Sequence, residues 1–330
     1  MKAFVTGGTG FVGTPFVRRL VADGWDVALL SRRAPAEPRA DGVRAYQGEL
    51  ADPQALRRVA EAEERFDVVF HLGASIAYFG RDEELARANV EGTRNALELA
   101  RRTGAGRFVY ASSIEAVGTV DRVPAPADTP CRPVSPYGRS KVLAEALVRR
   151  ESEGRFGHAI LRIGNVYASD HSSFVVEVAE AILQRNRLLE FLPSYAERCI
   201  HPVHTLDVTE GLLAAARANA PAATATLAGE WASMGELFAL CGAELGRIVP
   251  PRRAGRGDAL YLRVRARYHR RRRQMDLITY LMTGTGRRVH RAYDLEPARA
   301  ALGFAPRVTL RQGVGEALAW ARGAGVLEAA

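Results

Sequence analysis

Apolar positions in the first 165 residues gather into short, nearly unbroken runs at 2–6, 26–30, 43–46, 67–72, 107–112 and 158–163. A run without polar alternation predicts a strand covered on both faces, as in a parallel sheet. Between the runs, apolar residues recur every three or four positions over 11–23, 53–64, 84–103 and 137–152, which predicts helices. This alternation predicts a doubly wound α/β fold with a parallel sheet. After residue 166 the rhythm loosens. Helices are expected over 174–186, 234–246, 255–275 and 311–322, with a short strand and then a helix over 200–217. The expected organisation is a large sheet domain at 1–165, to which 198–217 returns, and a smaller, mostly helical lobe at 166–330. The chain has no internal repeat, and the proline-rich stretch 124–136 is read as a loop preceding a helix.

Residues 6–13 read Thr-Gly-Gly-Thr-Gly-Phe-Val-Gly, directly after the first predicted strand and at the start of a helix. Gly7 permits a tight turn, Gly10 lets backbone approach a pyrophosphate, and Gly13 allows close packing of helix on strand. The helix N-terminus then offers N–H groups and positive dipole to phosphates. Such a triplet alone occurs in many turns; its position between strand and helix makes it a dinucleotide site. At the end of the second strand, where an acid would bond a ribose 2′-hydroxyl, the chain carries Ser31-Arg32-Arg33. Arginine grips a 2′-phosphate that an acid would repel, so NADP(H) is favoured and NAD(H) remains open.

Tyr137-Gly-Arg-Ser-Lys141 places a phenol and an ammonium four residues apart, on one helix face. A nearby ammonium favours the phenolate and draws a phenol toward useful acid–base chemistry. By chance such pairs are common; here one follows a dinucleotide loop and a serine pair, Ser112-Ser113, at a strand end. A hydroxyl at the C-terminal end of a central strand lies where ligands bind open α/β sheets, and could donate to a substrate carbonyl oxygen.

Bulk properties add limits. The 330 residues are 47% apolar and 25% charged, enough for a sizeable core. Cys131, Cys199 and Cys241 are sparse and form no CxxC pair, so neither a disulfide framework nor a metal site is expected. With no signal-like or membrane-length apolar run, a soluble, cytoplasmic protein is expected. The net charge of +9 is concentrated: residues 252–273 hold ten arginines and one acid, Asp258, and the remainder is neutral. This segment reads as a solvated helix, or as a surface for an acidic group on a substrate or carrier. Peripheral membrane contact is a weaker reading and nucleic acid the weakest.

Taken together, TGGTGFVG, FVYASSIEAVG at 108–118, SPYGRSK, NVEGT at 89–93 and LRIGNVY at 161–167 closely resemble the extended short-chain dehydrogenase/reductase family. IHPVHTLDV at 200–208 and the closing stretch 294–320 are similar to its C-terminal motifs. The resemblance implies a Rossmann domain and NAD(P)-dependent oxidoreductase activity on a small-molecule substrate, and a homodimer is expected. It implies Ser113, Tyr137 and Lys141 as the catalytic triad. Gly7, Gly10, Phe11, Val12 and Gly13 would hold the pyrophosphate. Arg32 and Arg33 would hold the 2′-phosphate, and Glu49 and Leu50 would lie beside the adenine. Leu72, Gly73, Ala74, Asn89 and Ile163 complete the cofactor side. Ile76, Tyr78, Phe79 and Asn165, with Ser113, are expected on the substrate side.

Departures sharpen the expectation. Dehydratases of the family carry an Asp-Glu pair where this chain has Ile114-Glu115, and many sugar epimerases carry a tyrosine at the position of Val117 and an acid at that of Ser31. The reading is therefore a reductase or dehydrogenase acting at a carbonyl or secondary alcohol, with a nucleotide-sugar epimerase or a dehydratase as the alternative. A non-enzymatic NADP-sensing or RNA-binding relative ranks below both, because such proteins usually lose the tyrosine–lysine pair.

Overall fold

Phe4 and Val5 are adjacent, and both are fully buried. One belongs to the apolar cluster on one face of a sheet, the other to the cluster on the opposite face. That is why the strands read as unbroken apolar runs. In the computed structural model, residues 1–33, 42–76, 81–171, 173–184, 196–247 and 290–327 are described. The strands β1 (Lys2–Thr6), β2 (Asp26–Ser31), β3 (Arg44–Gln47), β4 (Val68–His71), β5 (Arg107–Ser113) and β6 (Gly157–Ile163) build the sheet. Helices α1 (Gly13–Ala22), α2 (Pro53–Ala62), α3 (Asp82–Leu85), α4 (Gly92–Arg102) and α5 (Pro136–Ser152) alternate with them. Further along come β7 (Asn165–Tyr167), α6 (Phe174–Leu183), β8 (Cys199–Ile200), β9 (Pro202–His204) and α7 (Thr205–Arg217). The described chain closes with β10 (Ala222–Leu227), β11 (Ala232–Ser233), α8 (Met234–Glu244), α9 (Glu296–Leu302) and α10 (Leu310–Gly323).

Seven strands pair in parallel in the order β10-β6-β5-β4-β1-β2-β3. The order reverses beside β1, between β4 and β2, and ligands of open α/β sheets bind at the carboxyl ends of the strands near such a point. β1 feeds the glycine turn there, and β4 and β5 bring their carboxyl ends alongside. A separate apolar cluster joins α6, α8 and α10 around Phe174, Leu237, Phe238 and Val314.

Local chemistry explains the helix starts. Ser135 accepts the Gly138 N–H at 3.0 Å with Pro136 in the first turn, and Asp52 accepts the Gln54 N–H at 2.9 Å with Pro53 in the first turn. Ser233 and Glu236 form a capping box at the head of α8.

Two features depart from the sequence reading. The single helix expected over 84–103 is α3, a π-helical turn at Ala86–Glu91, and α4 in succession. β10 was not anticipated: Ala-Ala-Thr-Ala-Thr-Leu is too weakly apolar to read as a strand, yet it pairs with β6 from His158 to Ile163. The expected helix 255–275 and the basic segment 252–273 lie outside the described residues.

Candidate active site

The glycine turn behaves as its sequence requires. Gly7 adopts φ +71°, a left-handed conformation natural to glycine. A Cβ on Gly13 would stand 2.0 Å from the Gly7 carbonyl oxygen, and one on Gly7 would stand 2.6 Å from the Gly73 nitrogen. Turn, helix and the loop after β4 are therefore packed backbone to backbone. α1 follows Val12 without a side-chain cap, and the Thr14 N–H is taken by the Gly10 carbonyl at 2.9 Å, which closes the turn onto the helix start. These features fit a dinucleotide pyrophosphate. Phe11 and Val12 are partly exposed, and the Phe11 ring lies 5.5 Å from that of His171. Ser31 is buried at the end of β2, while Arg32 and Arg33 are exposed just beyond it. Glu49 is exposed, and Leu50 packs against the position a Cβ would take on Gly73. Leu72, Gly73 and Ala74 are partly buried beside the turn.

Asn89 sits in the π-helical turn and is buried. Its side-chain oxygen accepts the Ser75 N–H at 2.7 Å, and its amide donates to the Ser75 carbonyl at 3.0 Å and to Ser140 Oγ at 2.9 Å. One side chain thus ties the loop after β4 to α5.

Strand alternation sends the two serines of β5 to different partners. Ser112 Oγ donates to Glu145 Oε1 at 2.7 Å, and Arg162 also holds that carboxylate, at 2.9 and 3.0 Å. Ser113, partly exposed, shares a side-chain hydrogen bond with Tyr137. Tyr137 opens α5 and is only 6% exposed. Burial pushes its phenol well up and the Glu115 carboxylate pushes it further, while the Ser113 bond pulls it down. Lys141 lies one turn on, with Nζ 5.7 Å from the Tyr137 ring centre and donating to the Ala111 carbonyl at 2.8 Å. Burial pulls its ammonium down to about 7, against the charge of Glu145.

Several polar groups around this centre were not anticipated. Thr6 Oγ1 meets His71 Nδ1 at 2.7 Å, and His71 Nε2 meets Thr93 Oγ1 at 3.0 Å, linking β1, β4 and α4. Burial, with Lys141 nearby, pulls His71 down to about 3, so it is neutral at physiological pH. Glu115 and Arg291 form a buried ion pair at 2.7 Å. A lone histidine or arginine carries no spacing signal in the sequence, so such cross-element pairs emerge only when strands are aligned.

Ile163, expected on the cofactor side, ends β6 and is buried. The substrate-side expectations are scattered. Asn165 begins β7 and is buried. Asn165 donates its N–H to the His201 carbonyl at 2.8 Å, and its side chain accepts the His201 N–H at 3.4 Å. Ile76 is 66% exposed at the end of the described loop, and Tyr78 and Phe79 lie outside the described residues. Among the described residues no group of three or more histidine, cysteine or acidic side chains is placed to hold a metal, and no helix is long and apolar enough to cross a membrane.

A seven-stranded parallel sheet with helices on both faces, its glycine turn at the point where strand order reverses, defines a Rossmann-type α/β protein. The chain belongs to the NAD dependent epimerase/dehydratase family, whose sequence profile matches residues 3–226. The resemblance read from the motifs is thereby borne out. A 2-alkyl-3-oxoalkanoate reductase from Stenotrophomonas maltophilia is 34% identical over 194 residues, 56% of this chain and 56% of that protein. The chain thus spans little more than half of that relative. A dTDP-6-deoxy-L-talose 4-dehydrogenase (NAD(P)(+)) from Kitasatospora kifunensis is 34% identical over 67% of this chain and 71% of its own length. Among solved structures, UDP-glucose 4-epimerase from Thermotoga maritima superposes with a TM-score of 0.77 at 20% identity, over 98% of this chain and 99% of its own, a likeness of fold.

Proposed function

We propose that this protein is an NADP(H)-dependent oxidoreductase that transfers hydride reversibly between the cofactor and a carbonyl or secondary alcohol of a small molecule. The observation that carries this reading is the meeting of Ser113, Tyr137 and Lys141 at the carboxyl end of β5 and the head of α5. A bound reduced nicotinamide supplies the hydride. Ser113 would hold the substrate carbonyl oxygen, and Tyr137, kept protonated by burial, would donate the proton as negative charge develops there. Lys141 would hold the ribose hydroxyls of the cofactor and draw the phenol down when the alcohol is oxidised. The half of the chain after residue 166 would supply most of the substrate lobe.

Arg32 and Arg33, exposed beyond β2 where an acid would select NAD, support NADP(H). The 34% identity to an oxoalkanoate reductase supports the reductase reading. A second reading, epimerisation of a nucleotide sugar, draws on UDP-glucose 4-epimerase from Neisseria meningitidis serogroup C, 28% identical over 77% of this chain and 86% of its own. Loss of the aspartate position to Ile114 weighs against dehydration.

Titrating NADPH and NADH by fluorescence, followed by a carbonyl-substrate panel, tests the proposal. The expected outcome is tighter NADPH binding, selectively weakened in Arg32→Ala, and net consumption of NADPH with a ketone. Equal or inverted cofactor binding would sink the NADP assignment. Redox-neutral inversion of a nucleotide sugar, with no net consumption, would install the second reading.

A further inference from the structure

Glu115 and Arg291 are 3% and 2% exposed, and Arg291 Nε donates to Glu115 Oε1 at 2.7 Å. They are 176 residues apart in sequence. Each is fixed from its own side. The Glu115 N–H donates to Ser113 Oγ at 3.2 Å, and the Glu115 carbonyl lies so close to Gly138 that a Cβ there would stand 2.3 Å away. On the other side, residues 290–293 run as a short strap. His290 exchanges backbone bonds with Val120 at 3.0 and 3.2 Å, the Ala292 carbonyl accepts the Ala125 N–H at 2.8 Å, and the Tyr293 hydroxyl donates to the Gly118 carbonyl. Within the strap, the Arg291 N–H donates to the Cys199 carbonyl at 2.9 Å.

A buried ion pair rarely outperforms well-packed apolar residues in stability, so a pair like this one needs a reason beyond holding the fold together. Its position supplies one: the Glu115 backbone packs on Gly138, the neighbour of Tyr137, and its N–H bonds the same Ser113 hydroxyl that Tyr137 bonds, so its carboxylate acts on the phenol. Among the described residues, Ser113 and Tyr110 from β5 and Lys141 from its own helix also lie around Tyr137. Asp82, from the packed helix α3, is taken up at the surface by Arg139.

We propose that Arg291 is a positioning residue of the reaction centre, which neutralises Glu115 beside Tyr137 and so sets the pH range in which Tyr137 exchanges its proton. This rests on the reading of Tyr137 as the acid–base group. Burial pushes the phenol up and the Glu115 carboxylate adds to that push, and a cation bound to the carboxylate offsets the part due to Glu115.

The test is the pH profile of kcat/KM for the holoenzyme in Glu115→Gln, Arg291→Met and the double variant, with NADPH affinity measured alongside. Reduction needs the protonated phenol, so activity falls as pH rises through its pKa, and the basic limb above the loss of the Lys141 ammonium near pH 7 reports on Tyr137. Glu115→Gln leaves the Arg291 charge unbalanced and should move the limb down by about one pH unit or more. Arg291→Met should move it up. The double variant should return it to within a few tenths of a unit of the wild type, with NADPH affinity unchanged throughout. An unmoved limb in Glu115→Gln, shifts of one sign in both single variants, or a double variant displaced as far as Glu115→Gln would overturn the proposal. If Arg291→Met fails to fold, Glu115→Gln and the double variant still decide. Full activity in Tyr137→Phe would instead remove the reading on which the proposal rests.

Discussion

Lys141 has surroundings that oppose its own charge. It is 2% exposed, its ammonium bonds one backbone carbonyl, and the rings of Tyr110 and Tyr137 lie 4.8 and 5.7 Å away. Its ordinary value of 10.5 falls to about 7. Because the folded value is depressed, the unfolded chain binds the extra proton between pH 7 and 10.5, and stability from this group rises with pH across that window. Below it the charge costs on the order of 4 kcal/mol, and losing the bond to Ala111 would cost about 1–3 kcal/mol. Lys141→Met should therefore raise the stability of the cofactor-free protein by about 1–3 kcal/mol at pH 6, with the gain shrinking by pH 9. Denaturant unfolding at the two pH values checks this, and a variant less stable at pH 6 would contradict it. The residues of this centre were legible because Tyr137 and Lys141 share one helix and one fixed spacing. Glu115 was legible as a motif departure, but its partner Arg291 was not, since no spacing rule links residues that far apart.

Among the elements, the six strands of the first half and the helices between them were readable because burial on both faces removes polar positions from a strand. The π-helical turn was hidden: its extra residue per turn leaves the apolar rhythm of 84–103 nearly intact while re-aiming Asn89 toward the loop after β4. β10 was missed because Ala223 and Ala225 gain their burial only after α7 and α9 pack over the sheet edge. The glycine turn permits a sharper forecast. Gly13→Ala places a methyl 2.0 Å from the Gly7 carbonyl oxygen, a backbone atom, and a Cβ has no rotamer with which to move away. It should weaken NADPH binding by about tenfold or more, a loss of at least ~1.4 kcal/mol, while the far-ultraviolet dichroism of the sheet persists. Unchanged affinity in a folded Gly13→Ala variant would dismiss the turn as the pyrophosphate cradle.

For the molecule as a whole, charge is distributed unevenly, with ten arginines and one acid in 252–273 and a neutral remainder. Like charges held together in sequence repel, and a basic segment attracts acidic groups over roughly a Debye length, about 8 Å near physiological salt. Replacing Arg270, Arg271, Arg272 and Arg273 with glutamine should raise KM, flatten its rise with ionic strength and leave kcat close to wild type. A KM indifferent to salt in both proteins would dismiss a role for these charges in substrate recognition. What the molecule does with its cofactor turns on Tyr137. The most direct measurement compares wild type and Tyr137→Phe for ketone-dependent consumption of NADPH and for NADPH affinity in the same preparation. Loss of the acid–base group should cut turnover on the order of 10²–10⁴-fold with cofactor affinity nearly unchanged. Turnover that survives intact in Tyr137→Phe would contradict the account.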